Sequence, residues 1–335
     1  MKKFLLTIVL LTSNYAFGGD FKIGGFTETN IIVTNIDKTS QFLEEVGGWH
    51  VIEEGPVDDN LKTLWHLPKS ASITQKLMAN KGAKTGFMRL IKIDGVEQDI
   101  IRSNTQSWDT GGIFDINMRI TDMDKKFKQL KAHGWTSDTN PVQFSFGPFV
   151  VKEWVVKNPD GLAFALIERV KPTLEGWPNL KEFSRVFNST QVVKDIDKSL
   201  AFYTDILGFK IYLEHKGASA KAGPNVLGLP YDVATQVERS VYIIHPDGIN
   251  EGSIELLQFH GASGRDVSHL ASPPNIGITT LRFPVDNITA LSDLLQKNQI
   301  KIQSRVKMNL RPYGLVDILA IKTPDNTWLE FYQTQ

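Results

Sequence analysis

Hydrophobic and polar positions follow the same plan twice along the chain. From Val186 to Phe209, β-branched and polar residues first alternate, as in a strand with two different faces, and apolar residues then recur at helical spacing. Asp195 is placed to cap the helix and Gly208 to end it. The stretch from Thr27 to Trp49 repeats this plan, and a repeat of this length predicts tandem domains.

Two more strand-helix starts begin at Phe114 and Ile278, and Asp286 is expected to cap the helix of the second. Each start precedes shorter β-rich runs joined by turn sequences, for example 87–102, which reads as strand, Asp-Gly turn, strand. The chain is therefore predicted to contain four βαβββ modules. Residues 171–182 hold two prolines and a glycine without a hydrophobic period, which predicts a linker between a domain at 19–170 and a domain at 183–335.

The first eighteen residues have the pattern of a secretory signal peptide. Lys2 and Lys3 precede an apolar run from Phe4 to Leu11, and Ala16-Phe17-Gly18 fits a signal peptidase site before Gly19. The run is too short for a membrane anchor, and no other run in the chain is long enough to span a bilayer. We therefore expect a periplasmic or secreted protein.

Composition narrows the class of partner. The 335 residues carry 37 basic and 37 acidic side chains with no basic stripe, so nucleic acid is not an expected partner. There is no cysteine, which excludes disulfides, a thiol nucleophile and a thiolate metal site. With 41% hydrophobic residues, the chain can build two sizeable cores.

Three motifs resemble the vicinal oxygen chelate superfamily, which includes glyoxalases, bleomycin resistance proteins and extradiol dioxygenases. They are DIDKSLAFYTDILGF from Asp195, GSIELLQF from Gly252 and PDNTWLEF from Pro324. The resemblance implies an α+β fold of two tandem domains, each a pair of βαβββ modules forming a cupped mixed sheet with helices outside. The first domain matches the motifs less well and is interpreted as degenerate.

In that family, metal ligands lie at inward positions on the first and last strands of each module. Carried over to this sequence, the C-terminal cup would present Asn188, Glu255, Thr280 and Glu330. The N-terminal cup would present Glu28, Asp99, Asp115 and Ala165. The family's usual first-strand histidines are missing, so an extradiol dioxygenase is not expected. The oxygen donors that remain suit a hard divalent cation, if any cofactor is present.

Two functions are compatible with these residues. In the first, an enzyme with lyase- or isomerase-like chemistry acts on a small, anionic molecule, with Glu255 and Glu330 as an acid-base pair or as metal ligands. Its substrate contacts would be Asn188, Thr280, Arg282, Arg311, Tyr313 and Trp328. In the second, a non-catalytic protein of the bleomycin-resistance type sequesters a small molecule. For the arginines, a structural ion pair to the two glutamates is the alternative interpretation.

Overall fold

The computed structural model of the chain describes residues 21–335 apart from residues 147 and 179. The predicted signal peptide, residues 1–18, lies outside the described residues. Within them, sixteen strands and five α-helices form four βαβββ modules. No helix in this part of the chain is long and apolar enough to cross a bilayer.

The modules follow one another along the chain. The first contains β1 Glu28–Ile32, α1 Ile36–Glu45, β2 Trp49–Pro56, α2 Asn60–Leu64, β3 Ser72–Asn80 and β4 Phe87–Asp94. The second contains β5 Ile113–Ile120, α3 Met123–Ala132, β6 Val142–Phe146, β7 Phe149–Lys157 and β8 Ala163–Lys171. The third contains β9 Val186–Val192, α4 Ile196–Ala201, β10 Lys210–Gly217, β11 Glu238–His245 and β12 Ser253–His260. The fourth contains β13 Gly277–Pro284, α5 Ile288–Lys297, β14 Ile302–Leu310, β15 Gly314–Lys322 and β16 Trp328–Thr334.

Short polar side chains begin the main helices. Asp195 caps α4 as predicted, because its carboxylate accepts a hydrogen bond from the backbone amide of Lys198 at 3.0 Å. The prediction for α5 was wrong by one residue. Asn287 is the cap, and the carboxylate of Asp286 instead accepts a hydrogen bond from the backbone amide of Lys22 at 2.6 Å.

The sixteen strands form two curled sheets of eight. One has the order β14-β15-β16-β13-β1-β4-β3-β2 and joins the first module to the fourth, and we call its concave side the 1–4 cup. The other has the order β10-β11-β12-β9-β5-β8-β7-β6 and joins the second module to the third, and we call its concave side the 2–3 cup. In both sheets the modules meet through an antiparallel pair of their first strands, β1 with β13 and β5 with β9.

This arrangement confirms the predicted cupped mixed sheets built from pairs of modules and corrects which modules pair. We expected consecutive modules to share a cup. The structure instead nests the second and third modules between the first and fourth, so the segment at 171–182 runs between two strands of one sheet. The predicted strand after the Asp-Gly turn at 94–95 is also absent from the described residues, since β4 ends at Asp94 and the next strand begins at Ile113.

Alternation along the strands separates the cups from the main core. On β5, Ile116 and Met118 join the large apolar cluster under the helices, whereas Asp115, Asn117 and Arg119 occupy the alternate, concave face. A second apolar cluster lies in the 1–4 cup and a third in the 2–3 cup. Polar residues on first strands are therefore buried by the curl of the sheet.

Candidate functional site

The floor of the 1–4 cup holds a connected network of two carboxylates and two guanidinium groups. Glu28 accepts two hydrogen bonds of 2.8 Å from Arg89, through Nε and Nη2. Arg282 donates from Nη1 to Glu28 and from Nε to Glu330, both at 2.5 Å. All four side chains are fully buried. Burial alone would raise the pKa of Glu28, but the two arginines lower it to about 2.

Aromatic donors complete this network. The indole nitrogens of Trp65 and Trp328 both donate to Oε1 of Glu330, at 2.6 and 3.1 Å. The hydroxyl of Tyr313 donates to Glu28 at 3.1 Å. Glu28 and Glu330 therefore each have charged and neutral donors, as a buried ion requires.

A segment of the first module covers this cup. We call residues 57–71, which contain α2, the strap. Asp58 accepts a hydrogen bond from the backbone amide of Asn309 at 2.8 Å, and the Asn60 amide donates to the carbonyl of Lys307 at 3.0 Å. Trp65 then fills the cup together with Leu61 and Leu64 of the strap. The strap is thus hydrogen-bonded to β14 and covers the 1–4 cup.

The 2–3 cup has a different floor. Asp115, Glu153 and Glu255 share its concave face, and none of them forms an ion pair with a described residue. Burial raises the pKa of Asp115 to about 7, against smaller opposing effects of Thr190 and Arg102. Burial and the charge of Asp115 raise the pKa of Glu153 to about 7, against an opposing effect of Arg119. Burial and the charges of Asp115 and Glu153 raise the pKa of Glu255 to about 8. The pKa values of these three groups therefore lie close to neutral pH.

Two arginines lie beyond the carboxyl groups. Arg119 is on β5, and Arg169 is on β8, on the same concave face. Arg119 is buried, and the Nε atoms of both have no hydrogen-bond partner among the described residues. Burial lowers the pKa of Arg119 to about 10, and the charge of Arg169 adds to the effect. A buried guanidinium with an unused donor is suited to a carboxylate or phosphate.

The opposite end of the 2–3 cup is apolar. Leu229, Ala234 and Val237, from the connection between β10 and β11, pack there against Leu257 and Phe259 of β12. In the second module β6 and β7 are separated by only two residues, too few to form a strap like that of the 1–4 cup. The 2–3 cup thus runs from an apolar end, past the carboxyl groups, to the arginines.

The predicted site residues divide between the two cups. Asn188, Asp115 and Glu255 lie in the 2–3 cup, whereas Glu28, Thr280 and Glu330 lie in the 1–4 cup. The expectation that Glu255 and Glu330 act as a pair in one cup is therefore wrong, because their strands belong to different sheets. Three predicted substrate contacts, Arg282, Tyr313 and Trp328, are held in the 1–4 network.

Two other predicted residues are engaged elsewhere. Asp99 is exposed in the loop after β4, where its backbone amide donates to Asn275, so it lies in neither cup. Arg89 occupies the position that was expected for Asp99. The pairs Glu28–Phe87 and Asn188–Ser253 place Arg89 and Glu255 at matching points of β4 and β12. The guanidinium of Arg311 contacts Glu53 at 2.7 Å.

Neither cup presents a donor set that fits the family's metal. In the 1–4 cup the carboxylates are neutralised by arginine. In the 2–3 cup, Ala165 has no donor, and the Asn188 amide is bonded to Ser253 at 2.7 Å and to Asn117 at 2.5 Å. Among the residues that the structure describes, no three His, Cys, Asp or Glu side chains are grouped to hold a metal ion. We therefore derive no chemical step through a metal.

Sequence reasoning missed Glu153, Arg119 and Arg169. One signal was available, because Arg119 follows Asp115 by four positions on a strand and must share its face. Glu153 and Arg169 could be placed beside Glu255 only after the second and third modules were known to share a sheet.

Comparison with known proteins agrees with this architecture. The family model described as Glyoxalase/Bleomycin resistance protein/Dioxygenase superfamily matches residues 186–331. A lactoylglutathione lyase of Pseudomonas putida is 30% identical over 161 residues, which are 44% of this chain and 84% of that protein. The crystal structure of glyoxalase I from Zea mays superimposes with a TM-score of 0.59 at 15% identity, covering 94% of each chain. A putative dioxygenase from Bacillus subtilis gives a TM-score of 0.54 at 13% identity, covering 93% of this chain and 86% of that one.

Proposed function

Because this chain belongs to the Glyoxalase/Bleomycin resistance protein/Dioxygenase superfamily, we propose that its 2–3 cup is the active site of a lyase- or isomerase-like enzyme acting on a small anionic molecule. One observation carries the proposal. Three carboxyl groups with raised pKa values, those of Asp115, Glu153 and Glu255, share one concave surface without an ion-pair partner among the described residues. Groups that titrate near neutral pH are suited to proton transfer.

Glu255 is the catalytic base and acid in this proposal. With a pKa of about 8, it is present in both protonation states at physiological pH. Its carboxylate takes a proton from a carbon next to a substrate carbonyl, the C–H bond breaks, and the electron pair moves to the carbonyl oxygen as an enolate forms. In a 2-hydroxy carbonyl substrate this enolate is an enediolate, so the protonated Glu255 returns the proton to the former carbonyl carbon, while the hydroxyl proton moves to the other oxygen and a new C=O bond forms. The isomerisation is balanced without an oxidant or a reductant.

Asp115 and Glu153 stabilise the enolate. Their pKa values of about 7 leave a large fraction protonated at neutral pH, and a neutral carboxyl group can donate a hydrogen bond to the developing oxyanion. Arg119 and Arg169 hold the anionic group of the substrate at the far end of the cup. The apolar end accommodates the rest of the molecule.

The second candidate is a binding protein of the bleomycin-resistance type. It is favoured by the apolar end of the same cup, which Leu229, Ala234, Val237, Leu257 and Phe259 line. In that case the carboxyl groups donate hydrogen bonds to the bound molecule, and no proton leaves carbon. Proton exchange at carbon therefore separates the two functions.

We expect Glu255→Gln to reduce the rate of proton exchange by about 10²-fold to 10⁴-fold, because an amide cannot accept a proton from carbon. The measurement is incorporation of solvent deuterium into a panel of small anionic 2-oxo and 2-hydroxy carbonyl compounds, followed by NMR. Glu238→Gln, an exposed change on the neighbouring strand β11, is the matched control. Equal exchange by Glu255→Gln and the wild type would remove Glu255 from the mechanism. Binding without exchange by the wild type would favour the sequestration protein.

We also propose that the protein is exported and that the mature chain begins at Gly19. The support is the sequence pattern of residues 1–18 alone. Intact mass of the protein recovered from periplasmic and extracellular fractions should correspond to residues 19–335. Recovery of only the full-length chain from the cytoplasm would contradict export.

A further inference from the structure

The guanidinium of Arg119 lies against two aromatic rings. Its central carbon is 4.2 Å from the ring centroid of Phe187 and 5.9 Å from that of Trp177. The two rings meet edge to face, with centroids 5.7 Å apart and planes at 82°. Phe187 reaches this position through a β-bulge, because Asn117 pairs with Asn188 while Met118 pairs with Val186.

Trp177 comes from the segment between β8 and β9, which is not part of either strand. The guanidinium of Arg185 also lies over its ring, with 4.3 Å between the central carbon and the ring centroid. Arg185 forms an ion pair with Glu251. Farther along, the carbonyl of Leu180 accepts a hydrogen bond from the backbone amide of Thr121 at 2.7 Å. The segment is therefore held by contacts to both the second module and the third module.

The position of Arg119 needs this support. It is a buried cation close to a second cation, Arg169, and its Nε has no partner among the described residues. The negative faces of aromatic rings stabilise a guanidinium without consuming its hydrogen-bond donors. Trp177 and Phe187 can thus fix the direction of Arg119 and leave its donors available to a ligand.

We propose that Trp177 is a positioning residue that holds Arg119 for the carboxylate or phosphate group of the ligand. Trp177, which the sequence places in a stretch predicted to be only a linker, is then a part of the binding site. This inference rests on the proposed function in one respect, that Arg119 contacts the anion.

The test measures binding of inorganic phosphate to the full chain by calorimetry at constant ionic strength. Trp177→Leu keeps apolar bulk and removes the aromatic face, so we expect it to weaken phosphate binding by about tenfold. Trp177→Phe keeps an aromatic face and should bind within about twofold of the wild type. A contribution of Trp177 through packing alone would make the two variants equal, which would overturn the proposal.

Arg119→Met distinguishes failure of this inference from failure of the proposed function. If Arg119→Met binds phosphate as the wild type does, the anion contact itself is wrong and both proposals fall. If Arg119→Met loses phosphate binding and Trp177→Leu retains it, only the role of Trp177 is overturned. Tryptophan fluorescence gives a second readout, because a phosphate-dependent change present in the wild type should be missing in Trp177→Phe.

Discussion

Replacing Arg282 by methionine is expected to lower the free energy of unfolding by about 3 to 5 kcal/mol, because it leaves buried carboxylates without their counter-charge. Arg282 bridges Glu28 and Glu330, and all three side chains are fully buried. Glu28 keeps Arg89, but among the described residues Glu330 keeps only the two indole donors. Urea denaturation at pH 7 measures the loss.

Arg305→Met is the matched control. Arg305 also binds a carboxylate through two donors, to Asp317 at 3.0 and 2.8 Å, but this pair is partly exposed. Removing an exposed pair costs at most about 1 kcal/mol. Similar losses for the two variants would show that the 1–4 network does not stabilise the fold as described. Arg282→Met should also leave phosphate binding unchanged, whereas the sequence-based assignment of Arg282 to the substrate predicts its loss.

The stability of the protein should fall as the pH rises from about 5 to 9, with the steepest loss between about pH 5 and 7. The pKa values of Asp115, Glu153 and Glu255 are raised from 3.8, 4.5 and 4.5 to about 7, 7 and 8. Between the unfolded and the folded values, the folded chain binds more protons than the unfolded chain. Stability is therefore highest below pH 4 to 5 for these groups and is lost as they ionise in the folded state.

Glu255→Gln should flatten this pH profile. One pKa unit corresponds to about 1.4 kcal/mol. Half of the rise in the pKa of Glu255, from 4.5 to about 8, therefore corresponds to roughly 2 kcal/mol of stability that the variant should recover at pH 9. Urea denaturation at pH 5, 7 and 9 provides the comparison, with Glu238→Gln expected to follow the wild type. Parallel profiles for Glu255→Gln and the wild type would mean that Glu255 ionises freely.

The two cups differ through a few side chains at matching strand positions. Arg89 and Glu255 stand at the same point of β4 and β12, one as a cation and the other as a carboxyl group. In the 1–4 cup, the cation pairs with Glu28, and the strap covers the result. In the 2–3 cup, Glu255 meets Asp115 and Glu153, so the carboxyl groups remain protonatable. Different charges at matching strand positions, together with the strap, thus distinguish the ion-paired floor of the 1–4 cup from the protonatable carboxyl groups of the 2–3 cup.

Local sequence patterns predicted the modules because each pattern is set by neighbouring residues. The alternation in β9, the cap at Asp195 and the turn before β12 all act over a few positions. The pairing of β1 with β13 is not determined by neighbouring residues, since an antiparallel partner can come from any module with a matching first strand. The alternation in a strand determines which residues face a cup, but it does not determine which of the two sheets forms that cup.

The same dependence on pairing between distant strands explains which residues of the site were predicted correctly and which were not. Glu255 was placed correctly on a concave face, and the alternative interpretation of Arg282 as a structural ion pair fits the distances observed. Glu330 was given the wrong companion because the fourth module was assigned to the wrong sheet. Asp99 was misplaced because the residues after the Asp-Gly turn do not continue as a strand.

The nesting of the modules also determines what a shortened chain would contain. Glu28 and Arg282 are hydrogen-bonded across 254 positions of sequence. A polypeptide that stops before Gly277, through premature termination or proteolysis, keeps the whole 2–3 sheet but leaves β1 without its antiparallel neighbour. Such a fragment would display an unprotected strand edge of the kind that recruits other chains. Residues 277–335 therefore protect the edge of the first module in addition to forming a module of their own.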